Sequence, residues 1–296
     1  MDVSVVIVNF NSTDVLRECI SSVQATVPST LRSEIIVVDN GSQADPSRQI
    51  QREFPDVTLI RNEANVGFSR ANNQGVARST GRHVLFLNPD TVVRAGTVET
   101  MLTHLERLDN AGAATCYVEL STGRLDDASH RGFPTPWNAL CHFTGISRLF
   151  PRSRTFSRYA LGWADLATTH EVDAVAGCFM FVRRDAGEQV GWWDEDYFFY
   201  GEDIDFCYRL KNAGWKIYFV PDASILHYKG SSSGIRRESR GVTSADHATK
   251  RRATLARFDA MKTFYRKHYL ERYPRPLTWL VFRAIDFKQW VALRSL

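Results

Sequence analysis

The chain has 296 residues, 44% of them hydrophobic and 24% charged, with 18 Gly and 10 Pro; this excludes collagen-like, low-complexity and wholly disordered chains and leaves room for one large domain or two small ones. Its cysteines, Cys19, Cys116, Cys141, Cys178 and Cys207, form no CxxC pair, so no zinc ribbon or disulfide framework is legible and a reducing compartment is the simplest fit. The net charge of +4 is unevenly spread: residues 236–296 hold 15 Lys/Arg against 5 Asp/Glu, and residues 1–235 hold 22 against 28, so a basic terminus on an acidic body points to phosphate, nucleic acid or an anionic membrane surface.

The N-terminal run MDVSVVIVNFN lacks the basic n-region and small-residue cleavage site of a signal peptide. No stretch approaches 18 uncharged apolar residues, so no transmembrane helix is expected and the cytoplasm is the expected location. Residues 3–8 form an apolar, largely β-branched run, the pattern of a strand buried on both faces. Asn11 and Ser12 offer caps for a helix whose apolar positions are Val15, Leu16, Cys19, Ile20 and Val23. Strands follow at 34–39, 57–60 and 83–87, with helices at 66–79 and 95–109. Such alternation predicts an α/β fold whose parallel sheet is covered on both faces.

Residues 119–170 are less regular, carry Pro134, Pro136 and Pro151, and read as an excursion over one end of the sheet. A strand is expected within 172–183. Ile204, Phe206, Cys207 and Leu210 then mark a helix face that Gly214 closes. A short strand at 216–220 is expected to stop at Pro221. Residues 229–244, rich in Gly, Ser and Arg, read as a mobile loop, and 248–269 as a basic amphipathic helix.

The phosphate cradles GxGxxG and GxxxxGK[ST] are absent, as are GxSxG and HExxH. Polar clusters instead follow the strands directly, at Asn9–Asn11, Asp39–Ser42 and Asn88–Asp90. Each is accounted for singly as a turn or helix cap; three along one sheet edge lie where open α/β sheets bind ligands. Asn88-Pro89-Asp90 places a carboxylate at a strand end, suited to a divalent cation that bridges a diphosphate. Gly201-Glu202-Asp203-Ile204-Asp205 offers either ordinary helix-dipole partners or a general base. His227, after the last strand, is either structural or a second ligand beside Asp90. The aromatics from Trp192 to Tyr200 serve equally as core or as a stacking platform for a sugar.

In this order and spacing the segments VSVVIVNFN, IIVVDNGS, NEANVGFSRANNQG, LFLNPD, VDAVAGCFMFVRR, FFYGEDIDFCYRLKNAGW and ILHYKGSS resemble the family-2 glycosyltransferases of the GT-A fold over roughly residues 3–230. The likeness is to the bacterial branch that includes rhamnosyltransferases of cell-wall and O-antigen assembly. It implies a Rossmann-like, mostly parallel central sheet flanked by helices. The catalytic domain would cover 1–230, with a nucleotide-binding half to about 118 and an acceptor half from 119. A mobile loop and basic amphipathic helices would form 231–296.

By the same resemblance, Asp39 recognises the nucleotide base, and Asn9, Asn65, Gly67 and Asn88 line the donor pocket. Asp90 and His227 hold Mg²⁺ or Mn²⁺, although Asn88 stands where the family's first DxD aspartate is expected. Asp203 is the general base, with Glu202 a rival carboxylate, and Trp193, Asp194 and Glu195 face the acceptor. The implied partners are a nucleotide-diphospho-sugar donor, dTDP-rhamnose favoured over UDP- or GDP-sugars, and a saccharide or polyprenyl-linked acceptor. Lys229, Arg236 or Arg237 would touch the diphosphate when the loop closes. The C-terminal helices mix Lys/Arg with Trp, Phe and Leu, which suits an anionic membrane plane or packing on the domain or a second subunit. No nucleic-acid motif accompanies the basic charge. The competing readings are a nucleotidyltransferase, whose glycine-rich basic loop is missing, and a catalytically silent sugar-nucleotide binder.

Overall fold

A computed structural model describes residues 1–228 and 247–296. The loop expected at 229–244, with Lys229, Arg236 and Arg237, lies outside the described residues, as does the start of the segment expected from 231.

Every residue of the first strand, β1 (Val3–Asn9), is buried, as its unbroken apolar run requires. Helix α1 (Thr13–Thr26) covers it with Leu16, Cys19, Ile20 and Val23. Strand β2 (Ser33–Asp39), helix α2 (Ser47–Glu53), strand β3 (Thr58–Arg61), helix α3 (Phe68–Arg78) and strand β4 (His83–Leu87) follow. β1 pairs in parallel with β2 and β4, and β2 with β3, so four parallel strands run in the order β3-β2-β1-β4. Gly75 of α3 lets the helix sit on β1; a Cβ there would lie 2.4 Å from Val6 Cγ1.

The second half joins the same sheet. After β5 (Thr91–Val93) and α4 (Thr97–Arg107) comes β6 (Ala111–Leu120), a strand not anticipated from the sequence because its AGAATCYVEL stretch opens on small residues. Helices α5 (Pro136–Phe143) and α6 (Ile146–Leu149) occupy the irregular excursion. The strand expected at 172–183 is two, β7 (His170–Val172) and β8 (Phe179–Arg183), separated by Asp173–Cys178. β8 lies antiparallel between β4 and β6. After α7 (Arg184–Val190) and α8 (Glu202–Asn212), β9 (Lys216–His227) runs on past Pro221, contrary to expectation. The register against β6 jumps between the Cys116–Val220 and Tyr117–Ser224 pairs, so Pro221 falls in an irregularity where its missing N–H costs no ladder bond. The boundary expected near residue 118 falls inside β6, and both halves share one sheet.

The sheet has a core on each face. One gathers Ile7, Leu16, Ile20, Leu85, Met101 and Phe181; the other gathers Val6, Phe86, Met180, Trp193, Phe206 and Phe219. Two C-terminal helices, α9 (His247–His268) and α10 (Arg275–Arg294), form a hairpin. Phe264, Tyr265 and Tyr269 pack with Tyr197 and Tyr208 in a third cluster. His268 Nε2 lies 2.7 Å from Asp205 Oδ1, tying α9 to α8. No described helix is long and apolar enough to cross a membrane.

Candidate active site

The parallel strands β1, β2 and β4 end together, and their last side chains form the first part of the site. Asn9 and Asp39 are register partners and both are fully buried. Asn9 Nδ2 donates to Asp39 Oδ1 at 2.8 Å, and the Ser42 hydroxyl donates to the same oxygen at 2.5 Å. The Ser42 amide donates to Asp39 Oδ2 at 3.2 Å, and Arg61 Nε stands 3.8 Å from that oxygen. A carboxylate taken out of water needs such donors to remain charged.

Asn40, which the sequence did not single out, clamps the next segment. Its Nδ2 donates to Asn65 Oδ1 at 3.0 Å and to the Gly67 carbonyl at 3.2 Å, while its Oδ1 accepts the Val66 amide at 3.0 Å. Gly67 opens α3 at φ +94°, and an added Cβ would lie 2.9 Å from both Phe198 Cδ2 and the Phe198 carbonyl. The Phe68 amide donates to that carbonyl at 2.8 Å. The Asn65–Gly67 segment is thereby locked against the stretch that leads into α8.

Asn88 and Asp90 follow β4, and His227 ends β9, whose carboxyl end reaches the same edge; Thr91 pairs with His227. Asn88 is half-buried, and its amide donates to the Cys178 carbonyl at 3.0 Å. His227 Nε2 lies 3.3 Å from Asp90 Oδ1. Its Nδ1 lies 3.4 Å from Asp126 Oδ2 yet is buried without a hydrogen bond of sound geometry. Ligand atoms of Asp126, Cys178 and His227 all fall within 4.8 Å of one another. Burial alone would lower the His227 pKa, but Cys178, Asp126 and Asp90 outweigh it and hold the ring well above its ordinary value. The carboxylates that favour a proton on this ring favour a divalent cation in the same way; such an ion would take the place of the ring proton, and the carboxylate and imidazole donors fit it. Asp126 and Cys178 escaped the sequence reading; Asp126 stands in the irregular excursion, with no local pattern to mark it.

The acidic cluster opens α8. Tyr200 at φ +71° and Gly201 at φ +82° make two consecutive left-handed turns, a conformation a tyrosine adopts only under constraint, and they present Glu202 and Asp203 on different sides. Glu202 is buried, with Oε2 unpartnered. Burial, and then the neighbouring Asp203, push its pKa to about 8, so it is largely protonated at neutral pH. Asp203 keeps 15% side-chain exposure and pairs with Arg131, whose Nη2 donates to Oδ2 at 2.5 Å. Burial works against the Arg131 charge, but Asp203 more than offsets it and holds the guanidinium protonated. Asp205 is fully buried; burial opposes its charge, but bonds from His268 and Arg209 keep its pKa low. Asp205 is thus a structural anchor.

The residues expected to face the acceptor divide. Trp193 is 1% exposed, its ring stacked on Phe206 at 5.0 Å and edge-on to Phe86 at 4.8 Å. Its aromatic face is spent on the core and not offered to a sugar, a correction to the sequence expectation. The preceding Trp192 has a left-handed backbone (φ +59°) after Gly191. Asp194 bonds Lys267 of α9 at 2.5 Å, and Glu195 pairs with Arg70 at 3.1 Å; both stay partly exposed beside α3. A separate surface cavity of about 690 Å³, lined by Arg82, Arg183 and Glu188, lies at the amino end of β4, away from these groups.

Residues 4–191 match the family described as glycosyl transferase family 2. The chain belongs to that family. This glycosyltransferase is 30% identical over 212 residues to the N-acetylglucosaminyl-diphospho-decaprenol L-rhamnosyltransferase of Mycobacterium tuberculosis, covering 68% of each chain. It is 28% identical over 235 residues to the rhamnosyltransferase WbbL of Escherichia coli, covering 76% of this chain and 83% of that one. Among solved structures, the glycosyltransferase is similar to the mannosyltransferase PcManGT of Pyrobaculum calidifontis, in complex with GDP-Man and Mn²⁺. The TM-score is 0.54 at 16% identity, over 98% of this chain and 86% of that one. Against GalNAc-T7 with UDP, GalNAc and Mn²⁺ the TM-score is 0.58 at 18% identity, over 77% of this chain and 44% of that one. At such identities the likeness is one of fold, the GT-A fold expected from the sequence.

Proposed function

We propose that this glycosyltransferase moves a rhamnosyl group from dTDP-rhamnose to a saccharide or polyprenyl-linked saccharide acceptor, with inversion at the anomeric carbon. The observation that carries the reading is the Asp90–His227 contact of 3.3 Å on the sheet edge that also holds the Asn9–Asp39 pair. That edge offers one place for a base and another for a diphosphate. Rhamnosyl transfer is supported by the likeness to the mycobacterial and enterobacterial rhamnosyltransferases. A polyprenyl diphosphate-linked N-acetylglucosamine acceptor is supported by the mycobacterial name.

In this reading Asp39, oriented by its bonds from Asn9 and Ser42, accepts a hydrogen bond from the base. The Asn65–Gly67 turn and Asn88 line the sugar and diphosphate path. Asp90 and His227 would hold Mg²⁺ or Mn²⁺, which supplies neutralisation of charge on the departing diphosphate. Asp203 is the base: Oδ2 is oriented by Arg131 and Oδ1 by the Ile204 amide at 2.7 Å, and each oxygen retains a lone pair for the acceptor hydroxyl. The hydroxyl proton goes to Asp203, its oxygen bonds the anomeric carbon, and the glycosyl–phosphate bond breaks on the opposite face. Glu202, protonated near neutrality, is unsuited to the base role. Asp194 and Glu195 remain the acceptor-side carboxylates. Calorimetric titration with dTDP, UDP and GDP in Mg²⁺ tests the donor half of the reading. It expects dTDP to bind most tightly, and absence of binding to all three overturns it.

A further inference from the structure

Of the large hydrophobic side chains that are exposed, most lie on two elements: α10 and the α5–α6 pair. On α10, Trp279, Leu280, Phe287, Trp290 and Val291 are 45–64% exposed. Their spacing of one, seven, three and one residues keeps them on one helical face. The opposite face is occupied: Phe282 packs on Tyr265 of α9 at 5.5 Å, and Lys262 of α9 bonds Asp286 at 2.7 Å. On α5–α6 and the residue after them, Trp137, Leu140, Phe143, Leu149 and Phe150 are 44–74% exposed. The two groups adjoin, because Lys288 Nζ of α10 sits 3.7 Å from the centre of the Phe143 ring.

The charge on this joint surface is predominantly positive. Residues 136–158 carry four arginines and no acidic residue, and residues 275–296 carry four Lys/Arg and one Asp. That Asp286 is already paired with Lys262 and stands 3.8 Å from Arg283. Arg294 lies over the Trp290 ring at 3.9 Å, and Arg283 over Trp279 at 5.8 Å. Indole and guanidinium in such pairs present an apolar body and a cationic head together, the composition that settles at the boundary of acyl chains and anionic headgroups. An aqueous protein partner would need matching acidic groups around a large apolar area; an anionic bilayer supplies both at once.

We propose that α5, α6 and the outer face of α10 form one surface that lies in the headgroup region of an anionic bilayer, with neither element sufficient alone. This goes beyond the transfer reaction and does not depend on it, since it needs no donor or metal. The test is co-sedimentation of the full chain with phosphatidylcholine vesicles with and without phosphatidylglycerol, in the absence of nucleotide sugar. Two double variants are compared: Trp279→Ala with Phe287→Ala on α10, and Leu149→Ala with Phe150→Ala beyond α5. These side chains are exposed, and thermal melting verifies that both variants stay folded. Wild type should bind the anionic vesicles and bind neutral ones weakly, and each double variant should lose roughly tenfold or more in partitioning. Arg148→Glu with Arg152→Glu should abolish the preference for phosphatidylglycerol. Equal binding by the Leu149/Phe150 variant and wild type overturns the joint surface, and absence of wild-type binding overturns the bilayer. A concentration-dependent dimer that the same variants dissociate, with no vesicle binding, assigns the surface to a second copy instead and overturns the proposal.

Discussion

Asp39 ends β2 and Asp203 lies in the first turn of α8, and their partners reach them by different routes. Asp39 is bonded by Asn9, its register partner on the neighbouring strand, and by Ser42, three residues on. Asp203 is held by Arg131, 72 residues away in a stretch without regular strands, and the adjacent Asp205 by His268, 63 residues away on α9. Asp39 is therefore held by sheet register and the short loop after it, while the Asn65–Gly67 segment beside it rests on Asn40 and Phe198. The partners of Asp203 and Asp205 come from segments far away in the chain, so their geometry is more exposed to change by distant substitutions.

Substitution at Asp203 should give the largest effect. Asp203→Asn keeps the shape and removes the basicity, so transfer should fall by roughly 10²–10⁴ while dTDP affinity stays within a few-fold. If the two centres were not separable, donor affinity would fall in parallel, which a kinetic and calorimetric comparison reads directly. Arg131→Lys should also reduce transfer, by a smaller factor, because a single ammonium loses the planar fork that orients Oδ2.

A pH titration of stability addresses Glu202 next. Burial raises its pKa in the fold to about 8, above the ordinary carboxylate range, so the folded state keeps a proton that the unfolded chain releases. The stabilisation is complete below the unfolded value and is lost as pH rises through about 8. Glu202→Gln removes this dependence, so chemical denaturation from pH 5 to 9 should show wild type losing a few kcal/mol that the variant keeps. A wild type as flat as the variant would contradict a protonated Glu202.

His268→Ala leaves Asp205 with Arg209 only and should cost about 1–3 kcal/mol in thermal or denaturant unfolding, with transfer reduced and dTDP binding preserved. The smallest effect is expected on the donor side: Gly67→Ala, forced to φ +94° against Phe198, should cost about 1–2 kcal/mol. Its slight but measurable loss of donor affinity would show how far the Asn65–Gly67 clamp reaches.

The parallel half was legible because its strands are continuous apolar runs and its site residues are the next residues in the chain. Asn9, Asp39, Asn88 and Asp90 follow this pattern. β6 was missed because its small residues carry no strand signature, and β9 was cut short because Pro221 sits in a register jump that no local rule reveals. Asp126, Arg131 and His268 reach the site through tertiary docking, which leaves no periodicity to read. Trp193 was misplaced for a related reason: an aromatic run beside a carboxylate cluster looks the same in sequence whether its rings face the core or a ligand, and only the packing of Trp193 on Phe86 and Phe206 shows which.

The most direct test of the central claim is to incubate the protein with dTDP-rhamnose, UDP-glucose and GDP-mannose in turn. Each reaction contains Mg²⁺ or Mn²⁺ and a polyprenyl diphosphate-linked N-acetylglucosamine acceptor, and both the released nucleoside diphosphate and the new glycoside are measured. Release and glycoside formation should occur in equal amounts, greatest with dTDP-rhamnose, suppressed by EDTA and abolished in Asp90→Ala. Undiminished turnover in EDTA, or no glycoside from any of the three donors, would contradict the central claim.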